Sequence, residues 1–254
     1  MFACVRGHTV FAKKLRPDSV VVDLGANRGE FSRQIRERFG SSCYLVECNP
    51  DLAARLASEG QFPISRCAVS PNGGFVSLHI ANNDEASSVL PLTKGSVHSE
   101  GIRETVRVEA KTLEALLLET GCKQVDVLKM DIEGAEVEVL RRVPLSVLRQ
   151  IGQITVEFHG HSEFGFEIRR DVEEVIDRVT KGGFIVLDFS YGTRRDVLFI
   201  NKALLRISRL RELLWKLRIE PPRALRAGWN AMPTLIRNSI RKLLDRTTGI
   251  DRSR

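Results

Sequence analysis

The chain has 254 residues, 43% of them hydrophobic and 28% charged, enough for one large domain or a domain with an appendage. It has no apolar run of the roughly 18 residues that a membrane-spanning helix needs, and residues 1–8 lack the charged-then-apolar layout of a secretory signal. The net charge of +7 is uneven: residues 202–254 hold 14 Lys/Arg against 4 Asp/Glu and the remainder 25 against 28, so a mildly acidic body carries a basic C-terminal appendage.

Taken in chain order, short β-branched runs alternate with helical patterns. Residues 20–23 read as a buried strand, 30–39 as a helix, 43–47 as a second strand and 50–58 as a helix capped by Asn49, with Pro50 in its first turn. Residues 62–69 read as one strand and 75–80 as an added one. The polar stretch 82–101 reads as a long loop, and such loops are commonly functional. Strands at 105–109, 125–130 and 154–158 alternate with helices at 113–119, 135–142 and 167–180, and strands at 184–187 and 196–200 close the pattern. Alternation of this kind predicts an α/β fold with a mostly parallel sheet covered by helices on both faces. We expect this domain to span residues 1–202. Residues 203–254 should form a basic amphipathic helical extension, with one apolar stripe through Leu210, Leu214 and Leu217 and a second through Trp229, Ile236 and Ile240. The five cysteines form no C-x-x-C pair, which argues against a zinc or disulfide framework and leads us to expect a cytoplasmic protein.

Four stretches carry chemistry. The first is Val22-Asp23-Leu24-Gly25-Ala26-Asn27-Arg28-Gly29, a strand that ends in a carboxylate and runs into a G-x-x-x-G turn. A dinucleotide fingerprint would be G-x-G-x-x-G. An acidic residue beside the loop repels pyrophosphate and suits a cationic amine, such as the methionyl end of S-adenosylmethionine. The second stretch, Glu47-Cys48-Asn49-Pro50, puts a carboxylate at the end of the next strand, where its two oxygens can take two ribose hydroxyls. The third is Lys129-Met130-Asp131-Ile132-Glu133-Gly134-Ala135-Glu136. Asp131 should emerge at the sheet's carboxyl edge, and Glu133 and Glu136 fall where a helix N-terminus favours negative charge. The fourth, Glu157-Phe158-His159-Gly160-His161, offers His159 as a general base, or Asp131, Glu157 and His159 as a mixed oxygen/nitrogen set for a divalent ion. A metal is possible but nothing in the sequence calls for one.

Together these stretches resemble the FkbM-type family of S-adenosylmethionine-dependent methyltransferases over roughly residues 18–200. Lys111-Thr112-Leu113-Glu114 is also similar, although the family more often has Asp at the position of Glu114. The resemblance implies a class I methyltransferase sheet of seven strands with the last antiparallel. It implies that Asp23, Gly25, Asn27 and Gly29 hold the methionyl end, Glu47 the ribose, and the segment at Ala68 the adenine. The polar loop through Asn82, Asn83 and Ser87 would lie over the site. Family members commonly methylate hydroxyls of sugars or of polyketide-type products.

The expected reaction is therefore methyl transfer to a hydroxyl. Asp131 or His159 takes the proton, and Glu133, Glu157 and Ser87 contact the acceptor. Methylation of nucleic acid or protein is the alternative enzyme, though no proline-rich amine-binding segment follows Asp131, and a non-catalytic cofactor-binding protein is the alternative class. The basic extension suits peripheral contact with the inner face of a membrane, or self-association.

Overall fold

The computed structural model describes residues 2–81, 102–159, 166–190 and 193–219. An N-terminal hairpin, β1 (Ala3–Val5) and β2 (His8–Val10), precedes the first central strand, β3 (Val20–Leu24). Then follow α1 (Glu30–Phe39), β4 (Ser42–Val46), α2 (Pro50–Glu59), β5 (Ile64–Ser65), β6 (Ala68–Val69), β7 (Gly74–Ala81), β8 (Ile102–Lys111), α3 (Leu113–Glu119) and β9 (Val125–Met130). The chain continues with α4 (Glu136–Arg142), α5 (Leu145–Leu148), β10 (Ile151–Val156), α6 (Phe166–Lys181), β11 (Phe184–Asp188), β12 (Val197–Asn201) and α7 (Arg209–Ile219).

Seven of these strands form one sheet in the order β11-β12-β10-β9-β3-β4-β5. Its central pairs are parallel, and β12 runs antiparallel to both β10 and β11. The chain leaves β3 toward β4 on one side and returns to β9 on the other. The crevice outside the carboxyl ends of β3 and β9 is therefore the topological switch point, where open α/β sheets bind ligands. The loops after β3, β4, β9 and β10 all open onto this edge. The central strands are buried on both faces, which is why they read as β-branched runs rather than alternating patterns. One core layer packs α3 to α6 on the sheet, and another packs α1 and α2 on the opposite face.

Three local features differ from the sequence reading. The single strand expected over residues 62–69 is two short ones: β5 pairs with β4 in the main sheet, and β6 pairs with β8 in a separate three-stranded sheet with β7. Residues 3–10, given no structure from sequence, form the hairpin, which is tied to β10 and to the residue before β12. Asp196 accepts from the Thr9 backbone N–H (2.9 Å) and hydroxyl (2.5 Å), and Gln153 accepts from the Phe11 N–H (2.6 Å). Finally, Leu205, Ile207, Trp215 and Ile219 pack with Phe2, Phe11 and the side chains of β11 and β12. The expected boundary at 202/203 thus runs through a shared core layer. The second expected stripe, through Trp229, lies outside the described residues.

Candidate active site

The turn after β3 is held from inside the protein. Asp23 is completely buried; the Ser32 hydroxyl donates to its Oδ2 (2.6 Å), and the Lys129 ammonium stands 3.4 Å from its Oδ1. Lys129, itself buried, also donates to the Gly25 carbonyl (2.6 Å) and pairs with Asp131 Oδ2 (3.1 Å). Burial works against the Lys129 charge, but Asp131 and Asp23 outweigh it and raise its pKa. Gly25 has φ +73°, and a Cβ there would lie 1.8 Å from the Asp131 carbonyl oxygen. Only glycine lets the β3 turn and the β9 turn touch.

The amides of this turn are already committed. The N–H groups of Gly25 and Ala26 donate to the Val46 carbonyl (3.0 Å each), and that of Gly29 donates to the Ala26 carbonyl (2.7 Å). The Asn27 N–H donates to Glu47 Oε2 (2.7 Å). The turn therefore offers no nest of free amides at these positions for a pyrophosphate. Glu47 is buried at the end of β4, and its Oε1 accepts from the Asn49 N–H (2.7 Å). Burial raises its pKa, against the lowering effect of these two amides and of Lys129. The Cys48 N–H is a third backbone donor to this carboxylate. Asn27 adopts the left-handed conformation (φ 50°), which a short amide side chain tolerates. Ala68 is buried in β6, within an apolar group against which Cys48 packs.

Across the crevice, the ends of β9 and β10 bring four carboxylates around one imidazole. His159 Nε2 lies 3.5 Å from Asp131 Oδ1, 3.7 Å from Glu133 Oε2 and 3.9 Å from Glu157 Oε1. Its Nδ1 is 2.9 Å from Glu136 Oε1. Glu136 is completely buried and accepts from the N–H groups of Ile132 (2.9 Å) and Gly134 (3.0 Å), so it fixes both the turn and the ring. Glu133 enters this cluster through a left-handed residue (φ 52°).

The charges interact strongly. Burial opposes ionisation of Asp131, but Lys129, His8 and His159 overcome it and hold its carboxyl well below the usual range. Burial, helped by the charges of Asp131, Glu136 and Glu157 and opposed by His159, pushes Glu133 up to about 8. Burial and Asp131 also raise Glu157. For His159, burial disfavours the cation, yet the hydrogen bond to Glu136 and the surrounding carboxylates push its pKa up to about 10.

Of the residues singled out from sequence, the structure brings Asp131, His159, Glu133 and Glu157 together at one edge, with Gly25, Asn27, Gly29 and Glu47 beside the adjoining turn. Asp23 stands behind that turn, turned onto Lys129 and Ser32. Ser87 and His161 lie outside the described residues. Sequence reasoning missed His8, which the hairpin places with Nε2 3.4 Å from Asp131 Oδ2 and which is almost fully buried. It also missed the roles of Lys129 and Glu136, although both stood in the quoted third stretch.

The sequence model of the Methyltransferase FkbM domain matches residues 23–186 of this chain. Methyltransferase sdnD of Sordaria araneosa is 26% identical over 211 residues, covering 66% of this chain and 81% of that protein. The 2-O-methyltransferase NoeI of Sinorhizobium fredii (strain NBRC 101917 / NGR234) is 29% identical over 141 residues, 49% of this chain, and the match spans only 57% of NoeI's length. Among solved structures, a Methanococcus jannaschii fibrillarin, a pre-rRNA processing protein, aligns with a TM-score of 0.43 at 13% identity, covering 79% of this chain and 69% of that one. With the matched region spanning the β3 turn, the Glu47 end of β4 and the Asp131–His159 cluster, this chain belongs to the FkbM methyltransferase family and is an S-adenosylmethionine-dependent methyltransferase.

Proposed function

We propose that this methyltransferase acts on a hydroxyl of a small-molecule acceptor, a sugar, glycolipid or natural product. The observation that carries the reading is the carboxylate–imidazole cluster at the ends of β9 and β10, next to a turn whose amides are unavailable to phosphate. The name of NoeI, a 2-O-methyltransferase, supports transfer to oxygen. The residues present fit the cofactor. Glu47 is a carboxylate fixed by backbone N–H groups at a strand end, suited to a vicinal diol, and the neighbouring acidic cluster suits a cationic sulfonium compound. When bound, S-adenosylmethionine supplies an electrophilic methyl group.

Within this reading Glu47 holds the ribose, and the Gly25–Gly29 backbone with Asn27 holds the methionyl end. The Ala68 segment lies along the adenine. Asp23 and Lys129 act behind the turn, as positioning residues that fix its backbone. Asp131, kept ionised by Lys129, would take the proton of the acceptor hydroxyl as that oxygen gains the methyl and the cofactor's sulfur–methyl bond breaks. Glu136 sets the orientation of His159, whose Nε2 steadies the same oxygen. Glu133, Glu157 and Ser87 contact the acceptor. Alignment of acceptor and donor accounts for much of the barrier lowering in such a displacement.

Glu47→Gln should weaken binding of S-adenosylhomocysteine by about 1.5–3 kcal/mol, or roughly ten- to a hundredfold, since a charged acceptor is lost. Isothermal titration reads this, and an unchanged affinity would remove Glu47 from the cofactor site. The acceptor class is tested by incubating the enzyme with methyl-labelled cofactor and fractionated glycans, lipids and small metabolites. Label in nucleic acid or protein alone would overturn the reading.

We also propose that the basic C-terminal region makes peripheral contact with anionic lipid. The support is its charge, together with the exposure of Leu210, Leu213, Leu214 and Leu217 on α7; no helix among the described residues is long and apolar enough to cross a membrane. Co-sedimentation with liposomes containing phosphatidylserine should capture the full-length chain and lose it at high salt. Equal recovery with neutral liposomes would contradict the proposal.

A further inference from the structure

We propose that Asp131, Glu133 and His159 form a binding site for a divalent cation of the Mn2+ type. One nitrogen and two carboxylate oxygens, one from each residue, lie within 4.8 Å of one another. Nε2 is 3.5 Å from Asp131 Oδ1 and 3.7 Å from Glu133 Oε2. Donors that share one ion at about 2.1 Å stand roughly 3–4 Å apart, and both separations from Nε2 fall in that range.

The surroundings of the three donors favour an ion. A metal-binding imidazole is typically oriented by a carboxylate on its other nitrogen. Glu136, completely buried and anchored by two backbone N–H groups, does this at His159 Nδ1. Asp131 is divided between two neighbourhoods. Its Oδ2 is held by Lys129 (3.1 Å) and His8 (3.4 Å), which leaves Oδ1 on the His159 side. A second group of donors, His8, Asp131 and Glu157, also lies close together, but the Lys129 ammonium stands on the Asp131 oxygen that His8 faces and repels a second cation there. Carboxylates crowd the His159 side. Asp131, Glu133 and Glu157 approach one Nε2, and Glu136 occupies Nδ1. Mixed imidazole and carboxylate donors suit Mn2+ and its neighbours better than Ca2+.

The existence of the site rests on this geometry. Its use, holding the acceptor oxygen as a further ligand of the ion in place of the direct contact from His159 Nε2, rests on the hydroxyl-acceptor reading above. The probe is Mn2+ alone, titrated into the full-length chain without cofactor or acceptor and followed by loss of the free-ion electron paramagnetic resonance signal. The expected result is one saturable site per chain. Glu133→Gln and His159→Gln should remove it, and Glu136→Gln should weaken it by about ten- to a hundredfold. Glu114→Gln, at an exposed position on α3, should leave it unchanged. Circular dichroism of each variant verifies the fold, and Glu133→Gln, in a turn, keeps the test open if His159→Gln does not fold. No saturable binding, or equal binding in Glu133→Gln and wild type, overturns the site. Full methyl transfer after removal of divalent ions overturns its use only. Mn2+ binding without any transfer to hydroxyls leaves the site standing and overturns the acceptor reading instead.

Discussion

Replacing Asp131 with Asn is expected to lower kcat by about 10^2–10^4-fold while leaving affinity for S-adenosylhomocysteine near wild type. The substitution is nearly isosteric, so the packing at the end of β9 survives. What disappears is the carboxylate that Lys129 keeps ionised and that faces His159. Lys129 retains Asp23 as a counterion, so the turn beneath the cofactor keeps its support. Steady-state rates with the identified acceptor, paired with calorimetry, separate the two effects. Wild-type kcat in Asp131→Asn would exclude Asp131 from the proton transfer, and loss of cofactor affinity of the same size would make its role structural.

The largest stability effect should come from Lys129. Lys129→Met keeps most of the side-chain volume but leaves Asp23 buried without a cation and the Gly25 carbonyl without its donor. Breaking a buried pair from one side costs about 3–5 kcal/mol. A domain of this kind has only about 5–15 kcal/mol in total. Urea denaturation should show a shift of that size. Adding Asp23→Leu should recover part of it, because the double change removes both charges. A loss below about 1 kcal/mol in Lys129→Met would mean that the pair does not carry the turn.

The Asp23 and Lys129 pair also shows where sequence reading reached its limit. A carboxylate ahead of a glycine turn reads as a ligand for a cationic group, because only its neighbours along the chain are in view. Its partner arrives from β9, and that partner decides which way the carboxylate turns. His8 was illegible for the same reason in a stronger form. Its hairpin strands are three residues long, too short for any periodicity, and the contact with Asp131 spans 123 positions. Glu136 was visible in the third stretch but read as a charge favourable to a helix N-terminus. Its work, holding His159 Nδ1, depends on the neighbouring strand. By contrast, the strands Val20–Leu24 and Val125–Met130 and the positions of Glu47 and Asp131 at strand ends were legible. Buried parallel strands are written as continuous β-branched runs, and their ends are where ligand-facing side chains stand. The run over residues 62–69 reads as one strand because local pattern carries no mark of the point where a chain passes from one sheet to another.

The most direct measurement is mass spectrometry of the product formed from methyl-labelled cofactor and the acceptor fraction that takes up label. One added methyl on oxygen, stable to alkali, is expected from wild type and not from an Asp131→Asn protein that still binds S-adenosylhomocysteine. A methyl group found on nitrogen, or formed equally well by Asp131→Asn, would contradict it.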